Sequence, residues 1–500
     1  MSSPESTRSP DSEPNDSLRP AMLSGAFWMV ATRWAVRFLG LISMVILARL
    51  LNPSDFGLVA MAMLVVGFAE AWLAFGVDMA LIQDQHAGRP EFDTAWTLRF
   101  GQTTAVALIA ALAAPWAAEY FGDDRLPLIM WVVAGGFFLT GFTNIGVVAF
   151  RRELRFRQEF WLIILPKLVS FTVTMVAAWV LRNYWALVIG SITLYVANVT
   201  TSYLMHPYRP RFSLATVRKL WSFSQWMLLV NVAWYLENRS DEAVIGGAGG
   251  TADMGHYSVA SEVSQLPNTE ISAPLARALY PVIAKMQAQP ERLRLAYKKV
   301  LATITGLTFP AGVGLALVAP QLVTVALGDG WEETIPFLQV LAVFAAIRSS
   351  YGSAGSVLVA VHRVREVALV TWMHFGLFLG LALWMIDGMG LIGVAWAKLV
   401  ATAVAAFVNF WLLTRATQVT FADIAVSLIR PVLATIVMSA VLWEVSGVVS
   451  SAPIFGLLSM VAIGALTYGL AATALWMLMG RPDGAEHLIL EKLRIVKTPA

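Results

Sequence analysis

Long apolar stretches, separated by short polar segments, run along the chain from about Ala21 to Gly480. A helix needs about 20 mainly apolar residues to cross the hydrocarbon core of a bilayer. This criterion predicts about fourteen transmembrane helices, of which the charged segments 218–245 and 254–283 fit least well. The predicted spans lie near residues 22–47, 56–82, 94–118, 126–149, 160–181, 184–205, 218–245, 254–283, 300–327, 335–360, 366–387, 389–414, 426–446 and 454–480.

Composition supports an all-α integral membrane protein. Hydrophobic residues make up 58% of the chain and charged residues 13%, and the mean hydropathy is +0.68. Soluble domains carry about 25% charged residues, so a cytosolic enzyme or a nucleic-acid binder is excluded. The chain has no cysteine, which excludes disulfides, thiolate catalysis and Cys-ligated metals.

The distribution of basic residues predicts the orientation of the spans. Residues 1–20 are polar and rich in Pro and Ser, which predicts a disordered tail and not a signal peptide. Lys and Arg concentrate in alternate loops, namely 150–160, 206–220, 285–299 and 362–366. The intervening loops (119–125, 246–255, 328–334 and 387–390) are short, and their side of the membrane holds only Arg49, Arg125 and Arg182. Because Lys and Arg are retained in the cytoplasm, the basic loops and both termini are predicted to be cytoplasmic.

The chain resembles itself at a shift of about 198 residues. Asp55-Phe56-Gly57 opens the second span and Asp253-Met254-Gly255 opens the eighth, while Phe150-Arg151-Arg152 and Val361-His362-Arg363 follow the fourth and tenth. A repeat of six spans keeps its orientation, which predicts two parallel six-helix lobes. The predicted domains are a cytoplasmic tail, an N-lobe, a C-lobe, two additional helices and a second tail, at residues 1–20, 21–206, 207–414, 415–480 and 481–500.

Charged residues fall within the first two predicted helices of each lobe. Arg33 and Arg37 lie four residues apart, hence on one helical face, at a combined insertion cost of roughly 5–7 kcal/mol. The other candidates are Arg239 and Arg277 and the carboxylates Glu70, Asp78, Glu262 and Glu270. These charges either form structural ion pairs or line a water-filled cavity. We favour the cavity, because the charges concentrate in repeat-equivalent helices.

A cavity of this kind suits an anion. Guanidinium groups clasp phosphate or diphosphate with forked hydrogen bonds, while the carboxylates could take H⁺ or Na⁺ as coupling ions. We predict no cofactor and no metal, since nucleotide, zinc and nucleophile motifs are all missing from the sequence. Among the remaining groups, Arg99 and Arg430 are predicted to snorkel, and His374 to pack or hydrogen-bond. Lys167, Arg348 and Lys398 could line the cavity or be paired.

Several segments resemble the polysaccharide-exporting Wzx/WzxC-type flippases. This family belongs to the superfamily that also contains the MATE drug exporters and the lipid II flippase MurJ. The segments are Gly25-Ala26-Phe27-Trp28, the run from Ile46 to Ala62, the run from Phe75 to Gln83, and Arg151-Arg152-Glu153-Leu154-Arg155-Phe156.

The resemblance implies a V-shaped pair of six-helix lobes around a cationic cavity, with a lipid-tail groove at the last two helices. Such proteins move undecaprenyl-diphosphate-linked oligosaccharides to the outer leaflet. In MurJ-like members, arginines of the first, second and eighth helices meet the diphosphate. Arg33, Arg37 and Arg277 match these positions, and Arg239 is a further candidate. The second helix departs from this pattern, because it offers Glu70 and Asp78 and no arginine.

The sequence therefore predicts a flippase in the bacterial inner membrane, working by alternating access in exopolysaccharide, capsule or O-antigen synthesis. Its expected partners are the lipid-linked oligosaccharide, membrane lipids, and the polysaccharide polymerase and export machinery. The alternative is a MATE-like, cation-coupled exporter of small organic molecules, whose site would be dominated by carboxylates. An enzyme is disfavoured, because the predicted external loops are too short to carry a catalytic site.

Overall fold

The computed structural model describes residues 14–73, 76–84, 86–275, 283, 286, 289–447 and 453–479. The regular structure of these residues is entirely helical, so the predicted all-α class is confirmed. A 3₁₀ turn (Ile145–Val147) precedes α6, and a π-helix (Asn268–Ser272) follows α9. The helices are α1 (Pro14–Leu50), α2 (Pro53–Leu73), α3 (Val77–Gln83), α4 (Arg89–Phe121), α5 (Leu126–Thr140), α6 (Val148–Arg152), α7 (Phe156–Leu181), α8 (Trp185–Met205), α9 (Val217–Ser264), α10 (Pro290–Leu317), α11 (Ala319–Ala326), α12 (Thr334–Ala360), α13 (Val364–Met389), α14 (Ile392–Ala416), α15 (Phe421–Ser446) and α16 (Pro453–Leu478).

Most of these helices are suited to a bilayer, where every backbone N–H and C=O must be satisfied within the protein. Eleven described helices are long and apolar enough to span, or twelve if the bent pair α5 and α6 counts as one span. Helix α9, which contains the predicted seventh span and the start of the eighth, is not among them. Its charged residues (Glu237, Arg239, Asp241 and Glu242) lower its hydropathy. The count of fourteen is therefore not confirmed and stays a prediction.

Two boundaries differ from those that the sequence predicts. Helix α1 begins at Pro14, so residues 14–20 of the predicted disordered tail are helical, while residues 1–13 and 481–500 lie outside the described residues. The predicted external loop at 246–255 is also helical except at Gly250, where φ is 80° and ψ is −166°. Only glycine adopts this backbone conformation readily, so one residue is enough to break the helix there.

The chain forms two compact units. Unit 1 comprises Met1–Leu51, Val65–Glu119 and Asp124–Val232, and unit 2 comprises Asn52–Leu64, Tyr120–Asp123 and Ala233–Ala500. In unit 1, α1 packs on α7, and both α5 and α7 pack on α8. In unit 2, α12 contacts α10 and α14, α13 contacts α14, and α15 contacts α10 and α16.

The segment after α8 packs within unit 1, although the sequence assigns it to the start of the second lobe. The Tyr208 hydroxyl donates a hydrogen bond of 2.5 Å to Asp93 Oδ1 on α4. The Asn144 side-chain amide donates to the carbonyl oxygens of His206 and Tyr208, at 3.0 and 2.8 Å. These bonds satisfy polar groups that would otherwise be buried unpaired.

Two of the predicted spans in unit 1 are broken. Gly76, with φ at 63° and ψ at 27°, separates α2 from α3. Helices α5 and α6 are bent by 64°, and Asn144 Oδ1 caps the turn between them by accepting from the Gly146 N–H at 3.0 Å. In membrane proteins, non-helical backbone at this depth is tolerated where it is buried or lines a water-filled cavity, so both breaks mark a candidate site.

Equivalent glycines of the repeat lie against each other in unit 2. A Cβ atom on Gly57 of α2 would lie 1.7 Å from the Thr251 carbonyl oxygen, and one on Gly255 of α9 would lie 1.9 Å from the Pro53 carbonyl oxygen. At these distances a side chain at either position would force the two backbones to shift apart. The shared Asp-x-Gly step of the sequence therefore serves one reciprocal backbone contact, as small residues do at close helix crossings in membranes.

Candidate functional site

A polar cavity of about 620 Å³ lies inside unit 2. It is lined by α9, the π-helix, α12, α13 and α14. Besides Tyr351, its charged or titratable side chains are Glu237, Arg348 and His374, one from each of three helices. The volume falls within the range of about 300–1,000 Å³ that is usual for small-molecule sites.

These three side chains form one cluster. Glu237 Oε1 lies 3.8 Å from Arg348 Nη2 and 3.5 Å from His374 Nδ1. His374 Nε2 is 3.0 Å from Thr402 Oγ1, which confirms the predicted hydrogen-bonded role of the histidine. The carboxylate compensates for the burial of the guanidinium, which is 18% exposed.

Uncharged polar groups line the same cavity. Ser349, Ser353 and Ser356 share one face of α12. The Ser353 and Ser356 hydroxyls donate to main-chain carbonyls of their own helix, at 2.8 and 3.1 Å. A hydroxyl that donates its only proton keeps its lone pairs, so these oxygens remain as hydrogen-bond acceptors.

A second polar cavity, of about 480 Å³, lies inside unit 1. Helices α2, α3, α4, α5 and α8 and the breaking residue Gly76 contribute to its lining. Glu70, Asp78 and Arg99 are its charged residues, and Arg99 Nη1 is 3.4 Å from both oxygens of Asp78. Arg99 was expected to snorkel to the interface, but it pairs with this carboxylate inside the cavity, because the break at Gly76 brings Asp78 within its reach.

The two cavities are equivalent in the repeat. Early in the repeat the shift of about 198 positions places Glu70 opposite Asn268, and after the Phe150–Val361 match a shift of about 211 positions places Asn198 opposite Asn409. Each of these four residues lines the cavity of its own unit. Asn198 and Asn409 both donate from the side chain to the carbonyl four residues earlier, at 2.9 Å.

A second ionic cluster in unit 2 lies outside the cavity lining. Lys398 forms a salt bridge with Asp241, and the Tyr257 hydroxyl donates to the same carboxylate oxygen at 2.5 Å. Arg239, a predicted diphosphate contact, forms a salt bridge with Glu242. The geometry of these four charged residues, Lys398, Asp241, Arg239 and Glu242, is that of structural ion pairs.

The other predicted site residues are distributed over both units. Arg33 and Arg37 lie half-buried on α1 in unit 1 and line neither of the two cavities. Glu262 is exposed on α9, and Glu270 is half-buried on the π-helix next to cavity residues of unit 2. Arg277 lies outside the described residues. Of the predicted carboxylates, the structure brings only Glu70 and Asp78 together in one cavity.

The sequence did not predict the cluster of Glu237, Arg348 and His374. One signal for it was present in the run from Arg348 to Ser356, where small polar residues interrupt an otherwise apolar span. The position of Glu237, in contrast, required the packing of α9 against α12 and α13. In the described part of the chain, no three His, Asp or Glu side chains come together as ligands of a metal ion.

An apolar groove of about 460 Å³ lies between α10, α15 and α16 in unit 2. Its lining includes Leu307, Pro310, Leu442 and Met460. The Tyr468 hydroxyl at the same groove donates to the Gly306 carbonyl oxygen at 2.6 Å, so this polar tip is satisfied. The groove lies at the last two helices, where the family resemblance implies a lipid-tail groove.

Apolar spans, broken helices and internal polar cavities define a multi-pass helical membrane protein of the transporter type. Solved structures share this fold. The fold is that of the lipid II flippase MurJ in an inward closed conformation, with a TM-score of 0.72 over 91% of this chain and 99% of that one, at 12% identity. An inward-facing multidrug resistance MATE family transporter matches at a TM-score of 0.57, over 76% and 94% of the two chains, at 15% identity.

The sequence comparisons establish the family. Residues 46–336 match the family described as "Polysaccharide biosynthesis protein", and the chain belongs to this family. The lipopolysaccharide biosynthesis protein WzxC of Escherichia coli K12 is 28% identical over 356 residues, 70% of this chain and 72% of WzxC. The succinoglycan biosynthesis transport protein ExoT of Rhizobium meliloti is 26% identical over 462 residues, 88% of this chain and 90% of ExoT.

Proposed function

We propose that the protein is a flippase that moves an undecaprenyl-diphosphate-linked oligosaccharide from the cytoplasmic to the periplasmic leaflet. The observation that carries this proposal is the polar cavity of unit 2, where Glu237, Arg348 and His374 lie among apolar helices. Membership of the polysaccharide biosynthesis family supports a glycan pathway, as does the similarity to the lipopolysaccharide biosynthesis protein WzxC and the succinoglycan biosynthesis transport protein ExoT. The translocated lipid-linked oligosaccharide would serve exopolysaccharide, capsule or O-antigen synthesis.

The physical task is to carry a hydrophilic headgroup through hydrocarbon. Moving hydroxyls and charges into an apolar medium without partners is unfavourable by several kcal/mol per group, roughly 2–7 kcal/mol for a hydroxyl. Polar side chains in a cavity replace the lost water, and alternating access exposes them first to one side and then to the other. The polyprenyl chain stays in an apolar environment, for which the groove of α10, α15 and α16 is suited. No covalent bond changes, so we propose transport and not catalysis.

The proposed diphosphate contacts are Arg33, Arg37, Arg239 and Arg277. Their guanidinium groups match the forked geometry of phosphate oxygens. Glu70, Asp78, Glu262 and Glu270 are the proposed coupling carboxylates, with H⁺ or Na⁺ as the coupling ion. The proposed location is the bacterial inner membrane with both termini in the cytoplasm, supported by the basic loops. Membrane lipids and the polysaccharide polymerase and export machinery are the proposed partners.

Alanine variants of Arg33 and Arg37 test the flippase. We expect Arg33→Ala and Arg37→Ala to insert into the membrane at wild-type level but to lose polymer export, because the diphosphate loses its partners. Lipid-linked oligosaccharide should accumulate on the cytoplasmic leaflet, as measured by extraction after protection from an external label. Arg363→Ala is the matched control, because its guanidinium pairs with Glu366 at the exposed start of α13. Wild-type export by both α1 variants would reject the proposed diphosphate site.

A MATE-like exporter of small organic cations is the second candidate. Glu70 and Asp78 in the cavity of unit 1 favour it, because carboxylates attract cations. Efflux of a fluorescent organic cation that is driven by a H⁺ or Na⁺ gradient and lost in Glu70→Gln would support this function. Polymer export unaffected by deletion of the gene would support it further.

A further inference from the structure

We propose that the cavity of unit 2 binds the sugar part of the substrate, through hydroxyl groups and independently of the diphosphate. This inference rests on the proposed flippase function and assigns a part of the substrate to one cavity. The cavity is lined by Trp234, Glu237, Arg348, His374, Asn409 and a row of serines on α12.

The lining is rich in hydrogen-bond acceptors. The Ser353 and Ser356 hydroxyls have donated their protons to their own helix, and the Asn409 amide N–H₂ donates to the Ala405 carbonyl oxygen. The Asn409 carbonyl oxygen and the serine lone pairs therefore remain to accept hydrogen bonds. A ligand that fits them must donate, which hydroxyl groups do and which phosphate or carboxylate oxygens do not.

The cavity also offers a hydrogen-bond donor to a sugar hydroxyl. Among the described residues, Arg348 Nη1 has no hydrogen-bond partner, although the atom is buried from solvent. A buried polar atom without a partner is unfavourable, so a ligand that supplies an acceptor to it binds more strongly. A sugar hydroxyl donates and accepts at once, and can therefore bridge Arg348 and the acceptor oxygens.

The charges of the cavity disfavour other ligands. An organic cation would meet the Arg348 guanidinium, and Glu237, the one carboxylate among the described lining residues, already lies near Arg348 and His374. A free anion would meet Glu237 and the acceptor oxygens. An uncharged polyol meets neither repulsion, and the largely exposed ring of Trp234 offers an apolar face against which a sugar ring can pack.

The position of the cavity along the helices agrees with loading from the cytoplasm. Val359 and Val367 line it beside residues 361–363, which connect α12 to α13 and belong to a loop that the sequence predicts as cytoplasmic. Arg348 and His374 lie further along the same two helices, toward mid-span. A headgroup that enters from the cytoplasmic side would reach the serines before it reaches the charged cluster.

The test uses two matched asparagine variants of the full-length protein in nanodiscs. The first probe is the repeat-unit oligosaccharide obtained by partial hydrolysis of the host strain's own extracellular polysaccharide. The second probe is undecaprenyl diphosphate without sugar. We expect Asn409→Leu to weaken oligosaccharide binding at least about tenfold, measured by saturation-transfer NMR, and to leave undecaprenyl diphosphate binding unchanged. Asn198→Leu, the equivalent change in unit 1, should leave oligosaccharide binding unchanged.

Three outcomes would overturn the inference: no oligosaccharide binding to the wild-type protein, equal affinity in wild type and folded Asn409→Leu, or competition of sugar-free undecaprenyl diphosphate for the oligosaccharide site. If Asn409→Leu does not fold, the double variant Ser353→Ala/Ser356→Ala removes two acceptors with little change in volume and carries the same expectation. The probe does not depend on transport. Failure of the flippase proposal, seen as normal export without the gene, is therefore distinguishable from failure of this one.

Discussion

The two polar cavities stand at equivalent places in the repeat but hold their charges in different environments. In unit 1 the side chains of Arg99 and Asp78 are 30% and 47% exposed. In unit 2 those of Arg348, Glu237 and His374 are 18%, 12% and 3% exposed. Exposed ion pairs contribute about 0–1 kcal/mol, whereas removing one partner of a buried pair is strongly destabilising. The cavity of unit 1 thus holds a solvated pair, and the cavity of unit 2 holds a buried cluster.

The chemistry of the cavities differs as well. Unit 1 offers two carboxylates and one guanidinium, while unit 2 offers one carboxylate, a guanidinium and an imidazole among serines. Asn268 stands where the repeat places Glu70. The repeat therefore determines where a cavity forms, and the side chains within each unit determine what the cavity can bind.

The largest expected effect is a difference in stability between a variant of the unit 2 cluster and a variant of the unit 1 pair. Glu237→Ala leaves Arg348 buried without its counter-charge, and we expect a loss of about 3–5 kcal/mol in the free energy of unfolding. Asp78→Ala should lose about 1 kcal/mol or less, because Arg99 remains hydrated. Denaturant unfolding of the purified protein, followed by tryptophan fluorescence, measures both. Losses of equal size would mean that the two cavities are equally hydrated, which would contradict the difference in side-chain exposure between them.

A smaller effect tests the repeat on which the comparison rests. Gly57→Ala and Gly255→Ala each place a methyl group against a backbone carbonyl oxygen, so we expect losses of about 1–3 kcal/mol that are similar to each other. Gly101→Ala is the control in α4, where no atom lies within 4 Å of an added Cβ, and alanine favours the helix by about 1 kcal/mol. A loss at only one of the two glycines would contradict a reciprocal contact.

The smallest expected effect is the influence of salt concentration on the coupling energies of the two ion pairs. Double-mutant cycles give the coupling of Arg99 with Asp78 and of Arg348 with Glu237, using neutral amide replacements. At 1 M salt the screening length is about 3 Å, so the coupling in unit 1, about 1 kcal/mol at most, should vanish. The coupling in unit 2 should persist, because salt screens buried charge pairs much less than exposed ones. A coupling in unit 2 that disappears with salt would indicate an open, hydrated cavity.

Much of the fold follows from local pattern. A run of about 20 apolar residues can satisfy its backbone in lipid only as a helix, so most predicted spans coincide with helices in the structure. The pattern was weakest at α9, where charged residues interrupt the predicted seventh span and which is not among the helices apolar enough to span. The pattern also predicted a loop at 246–255, because glycines usually mark turns. In the structure this segment is helical, and only Gly250 has a non-helical backbone conformation.

The candidate site was harder to predict from the sequence than the fold. Deep charges were identified by residue type, and the structure places Glu70 and Asp78 in one cavity although the break at Gly76 lies between them. Spacing cannot pair residues on different helices. Arg99 was therefore expected at the interface and lies instead beside Asp78. Arg348 and Lys398 were left open, and the structure places the first in a cavity and the second in a salt bridge with Asp241.

The sequence by itself determined that this protein is helical and crosses a membrane, because both properties depend on local composition and on backbone hydrogen bonding within each segment. It also determined the repeat, since order and spacing are linear information. Only the tertiary structure decided which charges are buried together. Those partners, such as Glu237 with Arg348 or Lys398 with Asp241, lie on different helices and meet only when the helices pack. The character of each cavity is therefore a property of packing.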